Sequence, residues 1–164
     1  MPEFEDHINQ TCHNLDFLSF VALHSEDAFC DWKVTICFYA CVHAVNSHLA
    51  KFGLQYRKHT DVDSALNPKL AESKATALSE DAYVAYSSLR KLSRRSRYLV
   101  QEGDLSGTTS YQTFEKHFQK AIRHLDTLLQ FLGTLYGVSN FKIVEIKSDG
   151  FANSANLKFF SVVK

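Results

Sequence analysis

The chain has 164 residues, of which 18 are basic and 18 are acidic, so that its formal net charge at pH 7 is +0. This length is typical of one ordinary domain with a single core. The balanced charge excludes a global electrostatic attraction to nucleic acid or to a membrane, and any such contact therefore needs a local patch of charge.

The first predicted helix follows a polar start. The N-terminal sequence MPEFEDHINQ lacks the apolar segment of a signal peptide, and no later apolar stretch is uninterrupted enough to span a membrane. We therefore expect a cytoplasmic protein that does not contact membranes. Apolar residues then recur with the helical period and predict a helix over roughly residues 8–23, which the polar triplet SED at 25–27 ends.

The second predicted helix begins after Asp31, a suitable N-cap, and ends at Gly53, a suitable C-cap. It is apolar on nearly every side, which predicts a position in the middle of the helical core. His43 lies within this helix and needs a hydrogen-bond partner there. Two interpretations of His43 stay open: a neutral core histidine that orders the neighbouring helices, or a cleft residue that helps to hold a phosphate or a ribose.

Four cysteines occupy positions 12, 30, 37 and 41. Cys37 and Cys41 are spaced to lie on one helix face, but neither a CxxC pair nor a second group of metal ligands lies nearby in the sequence. The pattern predicts reduced thiols in an apolar helix, with no disulfide, no metal and no cofactor.

A long polar connection over residues 55–79, with a short helix around residues 69–77, separates helix two from helix three. Helix three is expected to begin near Ser79 and to bury a stripe that includes Ser93 and Ser96. Beside that stripe lies a row of cations, which we call the basic ridge: Arg90, Lys91, Arg94, Arg95 and Arg97. These residues form a local patch of positive charge in a chain without net charge.

The fourth helix is the clearest element, because apolar residues alternate at spacings of 4 and 3 from Phe114 to Leu132. Beyond Gly137 the sequence alternates as strands do, and Asp149-Gly150 between the two segments predicts a β-hairpin. The predicted fold is mainly α: an up-and-down four-helix bundle over residues 1–137 and a short C-terminal β-hairpin over residues 138–164. An isolated hairpin is marginal in water, so it should pack on the bundle or on a partner.

Four motifs occur in chain order: Asp31-Trp32, FYACVH at 38–43, KHTD at 58–61 and SRRSRY at 93–98. Together they resemble the HEPN superfamily over about residues 10–135. The resemblance implies a four-helix domain, a dimer with a cleft lined by both protomers and, as in many members, metal-independent RNA cleavage. The family's nuclease motif, an Arg followed by a His after roughly four to six residues, is missing. Val62 also stands where related sequences carry an Arg, and both departures argue against the usual nuclease chemistry.

The first functional hypothesis is a dimeric HEPN-like module that binds RNA or a nucleotide, in a toxin–antitoxin or stress and defence context. Arginine side chains bind phosphates with two hydrogen bonds, and neighbouring tyrosines stack on bases. The candidate binding residues are Arg57, Lys58, His59, Arg90, Arg94, Arg95, Arg97 and Tyr98. The plainer interpretation, a solvated basic face without a ligand, stays open.

Two further alternatives stay open. In one, the protein is a metal-independent endoribonuclease in which His43 or His59 moves a proton and Arg97 stabilises charge on the phosphate. In the other, it is a purely protein-binding helical partner, for example of a nucleotidyltransferase. Incubation with RNA in EDTA separates binding from cleavage.

Overall fold

The computed structural model describes residues 2–137 and 141–163. This part of the chain is mainly helical and ends in a small two-stranded sheet. The α-helices are α1 (Phe4–His24), α2 (Cys30–Ala50), α3 (His59–Leu66), α4 (Glu80–Tyr98) and α5 (Glu115–Tyr136), and the strands are β1 (Val144–Lys147) and β2 (Phe160–Val163). The predicted start of the C-terminal segment at 138 and its last residue, Lys164, lie outside the described residues. None of the helices described is both long and apolar enough to cross a membrane.

The helix α2 packs against α1, α4 and α5, and α4 also packs against α5. Its side chains Val34, Cys37 and Cys41 are completely buried, so α2 holds the middle position that its composition predicts. One side of α2 nevertheless faces solvent, where Trp32 is 62% and Tyr39 is 47% exposed. Three neighbouring helices cover three sides of α2, and the fourth side carries an uncovered aromatic stripe.

The start of α2 differs from the prediction that Asp31 is its N-cap. The N-cap is Phe29, in the left-handed region at φ 56°, and Asp31 lies inside the first turn. Contacts of the first turn explain the earlier start, because Cys30 is buried and its thiol donates to Glu115 Oε2 over 3.3 Å. The predicted start of the next long helix is confirmed: Ser79 is the N-cap of α4, and its Oγ accepts from the backbone N–H of Ala82.

The connection between α2 and α4 folds differently from the prediction. The short α-helix lies at residues 59–66 rather than 69–77, where the structure has only a 3-10 turn over Ala71–Ser73. Burial of Val62 and Leu66 accounts for this, because these residues are four apart and pack together into the core. His59 therefore belongs to the first turn of α3, with Asp63 one turn further along the same face.

The predicted β-hairpin is wrong, because β1 and β2 pair in parallel, with Val144 opposite Phe160. A contact with α5 explains the direction: the buried carboxylate of Asp126 accepts from the backbone N–H groups of Lys158 and Phe159. These bonds hold the connection after β1 against α5 and return the chain to the start of the first strand. The sheet also packs on α1, where Ser19 Oγ donates to the Glu145 carbonyl over 2.7 Å.

Candidate functional site

Long side chains bridge α3 and α4. The carboxylate of Asp63 lies 3.3 Å from Arg90 Nη1 and accepts a hydrogen bond of 3.3 Å from the Tyr83 hydroxyl. His59 lies one turn before Asp63 on α3, and Arg97 lies two turns after Arg90 on α4. We call the space between these side chains the α3–α4 cleft.

The floor of this cleft is Phe38, which is only 1% exposed and comes from the FYACVH motif of α2. The centroid of the His59 ring lies 5.6 Å from the Phe38 centroid, and Arg97 Cζ lies 5.8 Å from the same point. The structure therefore brings His59 and Arg97, two of the residues singled out from the sequence, against one aromatic ring. His59 and Arg97 are themselves exposed to solvent.

Arg97 has no carboxylate partner among the described residues. Its Nε donates to Ser93 Oγ over 3.1 Å and lies 3.4 Å from the Ser93 carbonyl oxygen, and its Cζ lies 5.1 Å from the Tyr98 ring. These contacts hold Nε of the guanidinium group, and in the described structure its terminal nitrogens have no ion pair. Arg97 is thus positioned and not neutralised.

The other four cations of the basic ridge have partners. Arg90 pairs with Asp63, while Lys91 and Arg94 lie 3.3 and 3.5 Å from the carboxylate oxygens of Glu102. Arg95 donates to the Gln112 carbonyl and to Gln101 Oε1 and lies over the Tyr111 ring. Among the described residues, Arg97 is therefore the cation of the ridge whose terminal nitrogens have neither a carboxylate nor a carbonyl partner.

The surroundings of the His59 ring lower its pKa and so favour its neutral form. Burial lowers the pKa of His59 first, and the positive charges of Arg97 and Arg90 lower it further. The neutral ring accepts a proton at one nitrogen, whereas an anion bound beside Arg97 would favour the protonated ring.

Two buried donors lie along the same side of α4. Arg90 Nε and the Tyr86 hydroxyl have no hydrogen-bond partner in the described part of the chain, although Tyr86 is completely buried. Burial raises the pKa of the Tyr86 phenol, so it stays protonated and able to donate. Both donors are buried, so neither is exposed to a ligand on the surface of the cleft.

His43 lies elsewhere. Its Nδ1 is 3.2 Å from Nδ1 of His7 on α1, and it is half-buried rather than enclosed in the core. Phe38 and His43 are five positions apart on α2, so their side chains point about 140° apart around the helix axis. The structure therefore does not bring His43 to Arg97. Arg57 and Lys58, also predicted to bind, are exposed directly before α3.

The buried histidine of α2 is His48, which the sequence analysis did not single out. It is 3% exposed, its Nε2 donates to the Thr76 carbonyl over 2.9 Å, and its Nδ1 lies 2.6 Å from the Tyr136 hydroxyl. Burial lowers the pKa of His48, although the hydrogen bond to Thr76 raises it. Its position three residues after Val45, on the buried side, is the sequence signal that could have identified it.

The cysteine thiols on α2 suit packing rather than chemistry. Burial raises the pKa of Cys30 to about 12, with Glu115 as the next cause, and also raises the pKa values of Cys37 and Cys41. Thiols that stay protonated are weak nucleophiles and weak metal ligands. Within residues 2–137 and 141–163, no group of three or more His, Cys, Asp or Glu side chains could hold a metal ion.

Comparisons of the chain with models of known protein families, with curated proteins and with solved structures give no match. The candidate site is therefore defined by its own geometry: an arginine without a carboxylate partner among the described residues, and a histidine against the same buried phenylalanine.

Proposed function

We propose that the α3–α4 cleft binds a phosphate-bearing ligand, RNA or a nucleotide, and that the protein is a HEPN-like module. The observation that carries this proposal is the state of Arg97, the one basic-ridge cation without a carboxylate or carbonyl that occupies its terminal nitrogens in the described structure. A bound phosphate would supply that partner.

The recognition chemistry follows from the side chains. The terminal nitrogens of Arg97 match two phosphate oxygens in a fork, and such charge-assisted bonds are about twice as strong as neutral ones. His59 contributes a further donor once it takes up a proton, which the phosphate charge favours. Arg57 and Lys58 lie exposed next to His59 and add positive charge along the path of a longer ligand.

The open shape of the cleft favours single-stranded RNA over an enclosed nucleotide. Tyr98, whose ring lies beside Arg97, is 62% exposed, and Tyr39, next to Phe38, is 47% exposed. Exposed rings next to cations stack on unpaired bases, at about 1–3 kcal/mol per base. A strand that places one phosphate on Arg97 has these two rings within reach for its neighbouring bases.

A second candidate function is metal-independent ribonuclease activity in the same cleft. It is favoured by the low pKa of His59, which burial and then Arg97 and Arg90 cause. A neutral His59 could accept the ribose 2'-hydroxyl proton while Arg97 stabilises the charge that develops on the phosphate. His43 has no part in this scheme, because it contacts His7 instead.

The proposed module is an up-and-down four-helix bundle formed by α1, α2, α4 and α5, and it acts as a homodimer. The packing of α2 against the other three supports the bundle, and the exposed Phe17 and Trp32 support a covered face. A protein partner such as a nucleotidyltransferase is the alternative occupant of that face. Light scattering at micromolar concentration tests the dimer, and a monomer would contradict it.

The test is fluorescence anisotropy with a labelled single-stranded RNA in EDTA, with ATP and double-stranded RNA as comparisons. We expect the wild-type protein to bind the single strand and Arg97→Gln to bind it much more weakly, because glutamine keeps the length but loses the charged fork. Circular dichroism of the variant checks that the fold is retained. Absence of RNA and ATP binding by the wild type would overturn the proposal.

The same reaction mixtures distinguish the two functions. Gel electrophoresis after prolonged incubation shows whether the RNA is cut. Cleavage that His59→Gln and Arg97→Gln both abolish would assign the ribonuclease, whereas binding with intact RNA would assign the module. Cleavage that persists in both variants would identify a contaminating nuclease and leave binding as the only activity of this cleft.

A further inference from the structure

The seam between α1 and α2 brings two histidines together. His7 is 8% exposed and His43 is half-buried, and their rings lie 5.5 Å apart between centroids with planes inclined by 37°. The atoms that face each other are the two Nδ1 nitrogens, at 3.2 Å. The α3–α4 cleft uses neither residue.

This separation suits two ligands of one metal ion. Zinc binds imidazole nitrogens at about 2.0–2.1 Å with tetrahedral angles, which places two nitrogen ligands about 3.3–3.4 Å apart. A hydrogen bond between the two neutral rings gives a similar distance but uses the lone pair of only one nitrogen. A metal ion between the rings engages both lone pairs.

One ring of this pair, that of His7, lies near a carboxylate, that of Asp6. Burial, followed by nearby lysine or arginine side chains, lowers the pKa values of His59, His117 and His124. At the pair, burial lowers the pKa values of both rings, the Asp6 carboxylate raises that of His7, and His7 lowers that of His43 further. An imidazole binds a metal ion in its neutral form, which burial favours at both rings.

We propose that His7 and His43 form a two-histidine site for a divalent transition-metal ion of the kind that prefers imidazole: Zn²⁺, Ni²⁺ or Cu²⁺. Their Nδ1 atoms are the protein ligands. No third His, Cys, Asp or Glu completes a cluster with them among the residues described, so water fills the remaining positions. The bound ion links α1 to α2.

The first experiment titrates the full chain with Zn²⁺ alone and with Ni²⁺ alone by calorimetry, at neutral pH in a buffer that does not bind metals. We expect one site, and we expect His7→Ala and His43→Ala each to weaken it about 10-fold or more, since even indirect partners of a ligand have effects of that size. His13→Ala is the matched control on the exposed face of α1 and should bind like the wild type.

A second measurement needs no variant and covers the case in which a substitution unfolds the chain. Long-range ¹H–¹⁵N spectra of the wild-type imidazoles should show Zn²⁺-dependent shifts at Nδ1 of His7 and His43, with the other six histidines unchanged. Absence of metal binding at millimolar Zn²⁺ and Ni²⁺, or binding retained by both alanine variants, would overturn the proposal. Shifts confined to other histidines would overturn it as well.

Discussion

The two sides of α4 carry the same kind of side chain in different states. On the side that faces residues 99–113, Lys91 and Arg94 pair with Glu102. On the side that faces α2 and α3, Arg97 lies against Phe38 with no carboxylate partner in the described structure. The difference shows that cations of one predicted row have different partners, and the binding site that we propose lies at the cation without a carboxylate partner among the described residues, Arg97.

The contrast has a structural cause. The connection after α4 turns back along the helix, as the hydrogen bond of 2.9 Å from the Tyr111 N–H to the Leu99 carbonyl indicates, and so brings Glu102 and Gln112 to the ridge. On the other side of α4, α3 contributes Asp63 to Arg90, and no carboxylate of the described residues pairs with Arg97. Substitutions on the two sides of α4 should therefore have different effects on binding and stability.

The largest expected effect is a difference in RNA affinity between variants of Arg97 and of Arg94. Arg97→Ala should weaken binding of single-stranded RNA by about 10- to 100-fold, because a charge-assisted phosphate contact contributes about 1.5–3 kcal/mol. Arg94→Ala removes the same charge from the paired side and should change the affinity by less than about 3-fold. Anisotropy titrations at one fixed salt concentration measure both, and equal losses in the two variants would refute the distinction between the sides.

The second effect concerns stability and the two acidic partners. Asp63→Asn should lower the free energy of unfolding by about 1–2 kcal/mol, because it weakens a half-buried ion pair and the acceptor of the Tyr83 hydroxyl. Glu102→Gln should lower it by less than about 0.5 kcal/mol, since its partners are exposed. Urea denaturation followed by circular dichroism compares the two, and the reverse order would contradict the burial on which the comparison rests.

The third effect is a pH dependence of binding. The pKa of His59 in the free protein lies below the usual 6.5, through burial and then Arg97 and Arg90, and a bound phosphate raises it. Affinity should therefore increase as the pH falls from about 7.5 to about 5.5, by up to about 10-fold. An RNA without a terminal phosphate is the suitable ligand, because phosphodiesters do not titrate in this range.

His59→Gln is the control for that experiment. The other histidines with lowered pKa values remain in this variant, so the difference between the two pH profiles isolates His59. A flat profile for the variant with a sloping profile for the wild type is the expected result. Identical profiles would show that His59 does not protonate on binding.

The long helices could be predicted from the sequence because their signals are local. Ser79 is a typical N-cap residue and predicts the start of α4, and the regular apolar spacing up to Leu132 predicts α5. The strand direction could not be predicted, because alternation identifies a strand but the parallel pairing depends on Asp126, which binds residues more than 30 positions away.

The site was predictable only in part, for two physical reasons. An amphipathic pattern orients a helix, but α2 is apolar on almost every side, so its pattern distinguishes the half-buried His43 from the buried His48 only weakly, through the spacing of His48 from Val45. In α4 the cations were visible, but their partners Glu102 and Gln112 come from a segment without periodicity. Which arginine stays available is a property of the tertiary structure.

The smallest expected effect comes from a substitution that leaves Lys91 and Arg94 without their carboxylate partner, as Arg97 is. Glu102→Gln removes the carboxylate that Lys91 and Arg94 share, at similar side-chain volume, and leaves both cations available to a phosphate. Because these side chains are exposed and their charges are screened, the gain in affinity for single-stranded RNA should be about 2- to 3-fold. The gain should disappear in the triple variant that combines Glu102→Gln with Arg94→Ala and Lys91→Ala. Anisotropy at two salt concentrations should also show a steeper salt dependence for Glu102→Gln, since more counterions are released on binding. An unchanged affinity and an unchanged salt slope would mean that the paired side lies outside the path of the RNA.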